Sequence, residues 1–219
     1  MSENNIENLQ EEEIYFDYLF EHDYYNKTLQ YGIINGSNKI LLIKPGLNGS
    51  LLGDNEKYYN LAKYINKKYG LTVVCTNNPQ DKENDPLNDA LEVIDSYCGF
   101  MNYKDYEIYY LGSSNGAVIG AINAYKYTSI KRLLLINPPI FINYHKIQHG
   151  IENFKGNKIT FIFGELDPSA KYTGLLDLLK MNNLSYHILE GEDHNLVNGT
   201  VMIEGLVEKY LLEYNNIYF

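Results

Sequence analysis

The sequence is poor in cysteine, lacks tryptophan and contains a single arginine, Arg132. Its two cysteines, Cys75 and Cys98, are far apart, and neither belongs to a C-x-x-C motif or to a cluster with histidine. This excludes a disulfide framework and gives no sign of a thiolate zinc site or a redox motif. We interpret both cysteines as small, buried hydrophobic side chains. The scarcity of arginine and tryptophan, beside abundant asparagine, isoleucine, tyrosine and lysine, is typical of an AT-rich genome and carries no functional signal.

Basic residues are scarce relative to acidic ones. The 18 lysine and arginine residues face 28 aspartates and glutamates, which gives a formal net charge of -10 and a pI near 4.9. Phosphate backbones and anionic membranes repel such a chain at long range, so we expect no nucleic-acid partner. No apolar run approaches the roughly 18 residues of a membrane-spanning helix, and the acidic, polar start is the reverse of a signal peptide. The sequence therefore predicts no membrane span and a cytoplasmic location.

Length and hydrophobic content predict a single globular domain. The chain has 219 residues, 45% of them hydrophobic, which is enough for one sizeable core and too few for two. Residues 1–12 are rich in glutamate and have few apolar groups, so we expect a flexible acidic lead-in there. We assign the domain to 13–219, because no repeat, low-complexity linker or shift in composition divides it.

Beyond the lead-in, apolar β-type runs alternate with helical patterns. The runs KILLI, RLLLI and ITFIF are almost wholly apolar, as central strands covered on both faces must be, whereas the first two strand patterns alternate and predict an antiparallel edge. We further predict a helix that begins at Pro86 with Asp85 as its cap, a helix from Ser169 and a closing helix from Gly199. The sequence therefore predicts an α/β fold with a mostly parallel eight-stranded sheet and helices on both faces.

The most informative segment follows the strand pattern YEIYYLG. Gly112, Ser114 and Gly116 form a G-x-S-x-G motif between that strand and a helix rich in small residues. At such a turn a serine is held in a strained conformation with its hydroxyl pointing out of the sheet, and the glycines avoid side-chain clashes. The motif favours Ser114 as a nucleophile, with a glycine-rich packing turn as the alternative. The glycine spacing fits neither a dinucleotide-binding fingerprint nor a P-loop.

A nucleophilic serine needs a base and an acid that orients the base. Asp167 follows the strand pattern ITFIFG, and His194 follows the next one, SYHILEG. The carboxyl ends of parallel strands meet at one edge of a sheet, where the active sites of such sheets lie. We therefore predict that Asp167 is the orienting acid and that His194 is the base. Glu165 and Asp193 are the alternatives for the acid.

The other histidines and cysteines do not suggest a second site. His145 and His149 have a spacing that can bind zinc on a helix, but the sequence lacks a glutamate after the first histidine and any visible third ligand. We expect a solvated helix face there and no metal. His22 and His187 fall in strand patterns, away from the strand ends that carry the predicted site. Cys75 has no turn glycines and no apparent histidine partner, which argues against a thiol nucleophile.

With a serine, an aspartate and a histidine in this chain order, the sequence resembles the α/β-hydrolase family from about Ile14 onward. Residues 112–116, GSSNG, match the family's nucleophile elbow, and residues 45–50, PGLNGS, match its oxyanion loop, commonly H-G-x-x-G-S. Two positions depart from the family's pattern. Pro45 and Ser113 replace histidines that are usual or frequent in the family, and neither position takes part in the bond chemistry. The departures therefore affect the subfamily assignment more than the activity.

The resemblance implies a three-layer α/β-hydrolase fold and a serine hydrolase mechanism. It implies a catalytic triad of Ser114, Asp167 and His194, with an acyl-enzyme formed on the serine. It also implies that the backbone amides of Leu47 and Asn115 form the oxyanion hole. The expected substrate is a small-molecule carboxylic ester or thioester, and no cofactor is required. An amidase or peptidase acting on small substrates, and a non-catalytic binding protein that keeps the fold, remain as alternatives.

The sequence predicts an open site with an apolar wall. The connection from Asn137 to about Lys158 has room for one short helix, so we expect no large lid. Apolar residues near the predicted site favour a short or medium acyl chain over a charged substrate, although some of them could simply pack the core. We predict that five residues contact the substrate: Gly46, Asn48, Pro139, Ile140 and Leu196.

Overall fold

The computed structural model describes residues 15–24, 27–79, 86–196 and 202–213. The predicted lead-in at 1–12, the predicted cap Asp85 and the predicted start of the closing helix at Gly199 lie outside the described residues. Within the described ranges the chain forms one sheet with helices on both faces. No helix in those ranges is both long enough and apolar enough to cross a membrane.

The strands of the sheet are β1 (Tyr18–Tyr24), β2 (Lys27–Ile34), β3 (Ser37–Lys44), β4 (Leu71–Thr76), β5 (Glu107–Ser113), β6 (Ile130–Ile136), β7 (Lys158–Gly164) and β8 (Leu184–Leu189). Their order across the sheet is β1-β2-β4-β3-β5-β6-β7-β8. β2 runs antiparallel to both of its neighbours, β1 and β4, and the remaining neighbouring pairs are parallel. This confirms the mostly parallel eight-stranded sheet and its antiparallel edge.

The helices in the described ranges are α1 (Lys57–Tyr69), α2 (Pro86–Phe100), α3 (Asn115–Asn123), α4 (Tyr144–Asn153) and α5 (Ile203–Leu206), and α5 continues as a π-helical segment over Val207–Leu212. Short 3₁₀ segments lie at Asp54–Glu56 and Ala124–Lys126.

The segment after Ser169 differs from its predicted form. It is a 3₁₀ helix over Ala170–Leu179, whereas the sequence pattern predicted an ordinary helix. Its buried side chains are Ala170, Thr173, Leu176 and Leu179. They recur at every third residue, which matches the three residues per turn of a 3₁₀ helix and explains the tighter winding.

Side chains of the central strands alternate between two hydrophobic cores, one on each face of the sheet. In β3, Ile40 and Leu42 pack in the core beneath α2, α3 and α4. Leu41 and Ile43 pack in the core beneath α1 and the closing segment Val207–Leu212. Because successive side chains of a strand point to opposite faces, a strand covered on both sides must be apolar at almost every position. This is the physical origin of the KILLI run.

The connection between β6 and β7 leaves the carboxyl edge of the sheet uncovered by any inserted domain. Residues 137–143 lead directly from β6 into α4, and β7 begins shortly after that helix ends. The structure therefore has no large lid at this position, as the length of the connection predicted. The loops that follow β3, β5, β7 and β8 all lie at this same edge, because these strands are parallel.

Candidate active site

Ser114 occupies a strained turn between β5 and α3. Its backbone has φ 52° and ψ −116°, a region that a residue with a side chain rarely adopts. The turn is held because the amide of Ser114 donates a hydrogen bond of 2.7 Å to the carbonyl of Ile136, at the end of the neighbouring strand β6. Such a strained strand-to-helix turn lifts a serine hydroxyl out of the sheet.

The two glycines that flank Ser114 are required by close backbone contacts. A Cβ atom at Gly112 would lie 2.6 Å from the carbonyl oxygen of Gly116 and 2.7 Å from the Cα atom of Ala117. A Cβ atom at Gly116 would lie 2.2 Å from the carbonyl oxygen of Lys44 and 2.5 Å from that of Pro45. Only glycine fits at either position. The G-x-S-x-G spacing thus allows α3 to approach both β5 and the loop after β3.

Asp167 and His194 are in direct contact at the same edge of the sheet. Nδ1 of the imidazole is hydrogen-bonded to Oδ2 of the carboxylate. Asp167 is only 3% exposed, and its Oδ1 atom accepts a hydrogen bond of 2.6 Å from the amide of Ser169. The side chain of His194 is 45% exposed. Because the carboxylate engages Nδ1, the ring nitrogen that remains for proton transfer is Nε2.

The competing acids have other partners. Oε2 of Glu165 accepts a hydrogen bond of 2.8 Å from the amide of Gly191, and so ties the loop after β7 to the turn that follows β8. Oδ1 of Asp193 accepts a hydrogen bond of 2.9 Å from the amide of Asn195. Of the three candidate acids, Asp167 is the one whose carboxylate contacts His194.

Asn137, which the sequence analysis did not single out as a site residue, fixes the loop that carries the histidine. It is fully buried. Its Nδ2 atom donates hydrogen bonds to the carbonyls of His194 (2.8 Å) and Asp193 (3.3 Å), and its Oδ1 atom accepts one from the amide of Gly164 (2.8 Å). Asn137 also has a positive φ of 48°, a conformation that asparagine tolerates better than most residues. One side chain therefore links the end of β7, which leads into the loop of the acid, to the loop of the histidine.

Ser114 and His194 line one cleft of about 320 Å³, together with residues 45–50 of the loop after β3. Among the described residues, no hydrogen bond joins the Ser114 hydroxyl to the imidazole. Such hydrogen bonds are often long in ligand-free enzymes and shorten when substrate binds. The cleft also contains polar and charged side chains from α1 and the 3₁₀ segment before it, including Asp54 and Lys57.

The loop at 45–50 packs directly against the serine. A Cβ atom at Gly46 would lie 3.3 Å from the Cβ atom of Ser114, so the absence of a side chain lets the loop backbone approach the serine. In the described part of the chain, neither the amide of Leu47 nor that of Asn115 donates a hydrogen bond to another residue. Asn115 is the first residue of α3, where an amide has no partner within its own helix. Both amides are therefore free to meet a developing negative charge.

Comparisons with known proteins identify the fold. No protein-family model and no curated protein sequence matches the chain. Solved structures do match: an alpha-beta serine hydrolase homologue from Coxiella burnetii has a TM-score of 0.68 and 17% sequence identity over 89% of this chain and 97% of that one. The chain has the α/β-hydrolase fold.

Two further structures support this assignment. A dienelactone hydrolase from Anabaena variabilis has a TM-score of 0.68 and 11% identity, over 90% of this chain and 97% of that one. A cold-adapted esterase from an Arctic intertidal metagenomic library has a TM-score of 0.67 and 13% identity, over 88% of this chain and 93% of that one. At such identities the likeness establishes the α/β-hydrolase fold, and the chemistry must be argued from the site itself.

The predicted substrate contacts are only partly brought together on this fold. Gly46 and Asn48 line the cleft beside Ser114. Leu196 lines an adjoining pocket of about 690 Å³. Ile140, in contrast, is fully buried in the core beneath α2, α3 and α4, so it presents no surface to a ligand. Pro139, next to it, lines neither the cleft nor the adjoining pocket.

The apolar residues that follow β6 therefore do not form a wall of the cleft. Some of them pack in the core, and others form a separate surface patch. Phe141 is 62% exposed, and its ring stacks on that of Tyr172 at 4.7 Å between centroids. This pair lines a groove different from the cleft that holds Ser114. An apolar run such as PPIF cannot show by itself which of its members face the core and which face a cavity.

His145, His149 and His187 do not line the cleft. His149 packs edge-on against Tyr125. His187 lies on the edge strand β8 against Tyr210, where burial, with a smaller contribution from nearby lysines, lowers its pKa. His22 is in β1, and its side chain is outside the described part of the structure. No group of three or more histidine, cysteine, aspartate or glutamate residues in the described ranges could hold a metal ion.

Both cysteines are buried free thiols, as the sequence predicted. Burial raises the pKa of Cys75 well above its usual range, and it raises the pKa of Cys98 to about 11, with a smaller contribution from Asp95. A raised pKa keeps a thiol protonated and unreactive near neutral pH. Neither cysteine is therefore a candidate nucleophile.

Proposed function

We propose that the protein is a serine hydrolase that cleaves carboxylic esters or thioesters through an acyl-enzyme on Ser114. The observation that carries this proposal is the contact between Asp167 and His194 in the cleft that also contains Ser114. The strained serine turn and the free amides of the neighbouring loop and helix support it. A packing turn alone would not need a buried carboxylate aligned with an exposed imidazole.

The first half of the proposed reaction forms the acyl-enzyme. Nε2 of His194 takes the proton from the Ser114 hydroxyl as its oxygen attacks the carbonyl carbon of the substrate. Asp167 holds the ring in the orientation that leaves Nε2 unprotonated, and it stabilises the imidazolium that forms. The amides of Leu47 and Asn115 donate hydrogen bonds to the oxyanion of the tetrahedral intermediate.

The second half releases the acyl group. His194 gives its proton to the departing alcohol or thiol, and the bond between that group and the carbonyl carbon breaks. A water molecule then enters, and the imidazole removes its proton as it attacks the ester on Ser114. The same two amides stabilise the second oxyanion, and the acid product leaves.

The adjoining pocket provides a place for the acyl chain. It shares Asp54, Lys57, Tyr58, Ser113 and Asn195 with the catalytic cleft, so the two spaces lie side by side. Beyond the shared residues, four apolar side chains line it, Ile136, Leu196, Met202 and Ile203, beside the polar residues Asn55, Asn60 and Glu204. We assign a short or medium acyl chain to this pocket, on the α1 side of the sheet. A volume of about 690 Å³ is within the usual range for small-molecule sites.

The names of two structural neighbours agree with ester chemistry. The solved structures that share the fold include an esterase and a dienelactone hydrolase. For this chain the choice of an ester or thioester rests on the apolar side chains that line part of the acyl pocket and on the arrangement of Ser114, Asp167 and His194. Hydrolysis of small amides instead of esters would keep Ser114 as the nucleophile and change only the leaving group.

A fluorophosphonate probe tests the proposal. The purified protein is incubated with the probe beside two variants, Ser114→Ala and Ser113→Ala, and each is then assayed on nitrophenyl esters of increasing acyl length. We expect the wild type to be labelled and to hydrolyse the esters, and Ser114→Ala not to be labelled. Ser113→Ala carries the same substitution at the preceding residue and should still be labelled. Failure to label the wild type, or equal labelling of Ser114→Ala, would show that Ser114 is not a nucleophile.

A further inference from the structure

Asn78 is a buried polar residue that contacts both sides of the proposed oxyanion hole. It follows β4 and is only 2% exposed. Its Nδ2 atom donates a hydrogen bond of 2.9 Å to the carbonyl of Pro45, in the loop after β3. The same nitrogen donates a hydrogen bond of 3.0 Å to Oδ1 of Asn115, the first residue of α3. Both hydrogens of the amide group are thus used, one on each segment.

The backbone of Asn78 strengthens the same connection. Its amide donates to the carbonyl of Gly49 at 3.0 Å, and its carbonyl accepts from the amide of Asn48 at 2.7 Å. The loop at 45–50 is therefore held at three of its residues by a single neighbour. Leu47, whose amide is one of the two proposed oxyanion donors, lies between the attached positions Pro45 and Asn48.

We propose that Asn78 is a positioning residue that sets the distance between the two oxyanion donors. This inference rests on the proposed hydrolase function, because it assigns the donors to Leu47 and Asn115. Stabilisation of an oxyanion depends on donors that are already fixed about 3 Å from the position of the charge. A displacement of the order of 1 Å is enough to lower a rate about 100-fold. Asn78 restrains both donor segments without touching the substrate.

The chemistry of the contact requires an amide at this position. Both partners of the Asn78 side chain are oxygen acceptors, so this almost fully buried residue must supply two donors. A buried carbonyl that loses its donor bears a desolvation cost. A carboxylate at position 78 would direct negative charge at both oxygens and push the segments apart.

The neighbouring residue Asn77 offers a matched control. Its Oδ1 atom accepts a hydrogen bond of 2.9 Å from the amide of Gln30, and its Nδ2 atom donates one of 2.8 Å to the carbonyl of Thr28. Both partners belong to β2 and not to the cleft. The substitutions Asn78→Ala and Asn77→Ala thus remove the same side chain from adjacent positions, and only the first disconnects the loop at 45–50 from α3.

Steady-state kinetics on a nitrophenyl ester separate positioning from binding. We expect kcat of Asn78→Ala to fall on the order of 10- to 100-fold, with KM changed by less than about threefold, because the oxyanion contacts form in the transition state. Asn77→Ala should keep kcat within about twofold of the wild type. Asn115→Ala, which removes one of the two acceptors, should show a smaller fall in kcat than Asn78→Ala.

The outcomes distinguish this inference from the proposed function. Equal kinetics for Asn78→Ala and Asn77→Ala, with Ser114 still labelled by a fluorophosphonate, would overturn the role of Asn78 and leave the hydrolase proposal intact. A loss that appears in KM alone would also overturn it. Absence of labelling and turnover in the wild type would overturn both. If Asn78→Ala does not fold, Asn78→Ser, which keeps one smaller donor, is compared with Asn77→Ser by the same criteria.

Discussion

The imidazole of His194 and the carboxylate of Asp167 meet although they stand on different loops, each following its own strand. The contact depends on the parallel pairing of β7 with β8, which brings the carboxyl ends of both strands to the same edge. It also depends on Asn137, whose side chain is hydrogen-bonded to the end of β7 and to the loop that carries His194. The geometry of this pair is therefore a property of the sheet edge and not of either loop alone.

Replacing Asp167 tests the role of this contact. We expect Asp167→Asn to lower kcat on the order of 100- to 10,000-fold, because an amide no longer holds the imidazole in the tautomer that leaves Nε2 free to accept a proton. The control is Glu165→Gln, whose carboxylate caps a turn and does not contact His194. Steady-state assays of both variants measure kcat and so test the role of Asp167. A normal rate for Asp167→Asn would assign the acid to another carboxylate, with Asp193 tested next.

Replacing Asn137 tests how the histidine loop is held. Asn137→Asp keeps an acceptor for the amide of Gly164, but it turns the donor toward His194 and Asp193 into a second acceptor. We expect the free energy of unfolding to fall by about 1 to 3 kcal/mol, since the carbonyls of His194 and Asp193 lose their donor and the buried side chain at 137 gains an unpaired acceptor, and kcat to fall as well. Urea unfolding followed by circular dichroism measures the change. An unaltered unfolding curve would mean that these hydrogen bonds do not stabilise the loop.

Adding one methyl group at Gly116 tests the packing of the serine turn. The new Cβ atom would approach the carbonyl of Lys44 to 2.2 Å, so we expect Gly116→Ala to lower the free energy of unfolding by about 1 to 3 kcal/mol or more. The control is Gly99→Ala in α2, where the new atom has nothing within 4 Å. There the higher helix propensity of alanine should stabilise the protein by about 0.5 to 1 kcal/mol. Equal stability of the two variants would contradict the close contact.

Lys44 gives a pH dependence that can be checked by stability measurements. Its side chain is 1% exposed, and Nζ donates a hydrogen bond of 3.1 Å to the carbonyl of Asn77. Burial lowers the pKa of Lys44 to about 8, although the nearby carboxylate of Asp89 opposes this effect. Between about pH 8 and the ordinary value of 10.5, the unfolded chain therefore binds more protons than the folded one, and stability rises with pH.

The comparison of Lys44→Met with the wild type isolates this contribution. Other titrating groups are common to both proteins, so the difference between their free energies of unfolding reports on Lys44. We expect the wild type to gain up to about 3 kcal/mol relative to the variant as the pH rises through this interval. Urea unfolding at several pH values measures it. A difference that does not change with pH would show that the lysine keeps its ordinary pKa.

Several features of the fold follow from the sequence because they depend on side-chain pattern. The runs that became β3, β6 and β7 are apolar at nearly every position, since helices cover both faces of the sheet. The first two strand patterns alternate between apolar and polar residues, and in the structure they form the antiparallel edge of the sheet. Glycines two residues either side of Ser114 are visible in the sequence, because no other residue fits their backbone contacts.

Other features could not be predicted, because they depend on single contacts between distant segments. Asn78 and Asn137 are polar residues after buried strands, and their bonds go to partners remote in the sequence. No periodicity marks them, and the burial of an asparagine is not the usual expectation. The position of Ile140 could not be predicted for a different reason. An apolar side chain near the predicted site can face a pocket or the core with the same sequence pattern, and here it faces the core.

Trapping the acyl-enzyme tests the central proposal most directly. The wild type is mixed with nitrophenyl acetate, the reaction is stopped with acid during turnover, and the digested peptides are analysed by mass spectrometry. We predict that the peptide containing Ser114 gains the mass of one acetyl group, that Asp167→Asn accumulates this species much more slowly, and that Ser114→Ala does not form it. Ester hydrolysis by the wild type without acetylation of Ser114, or with acetylation at another residue, would contradict the proposed mechanism.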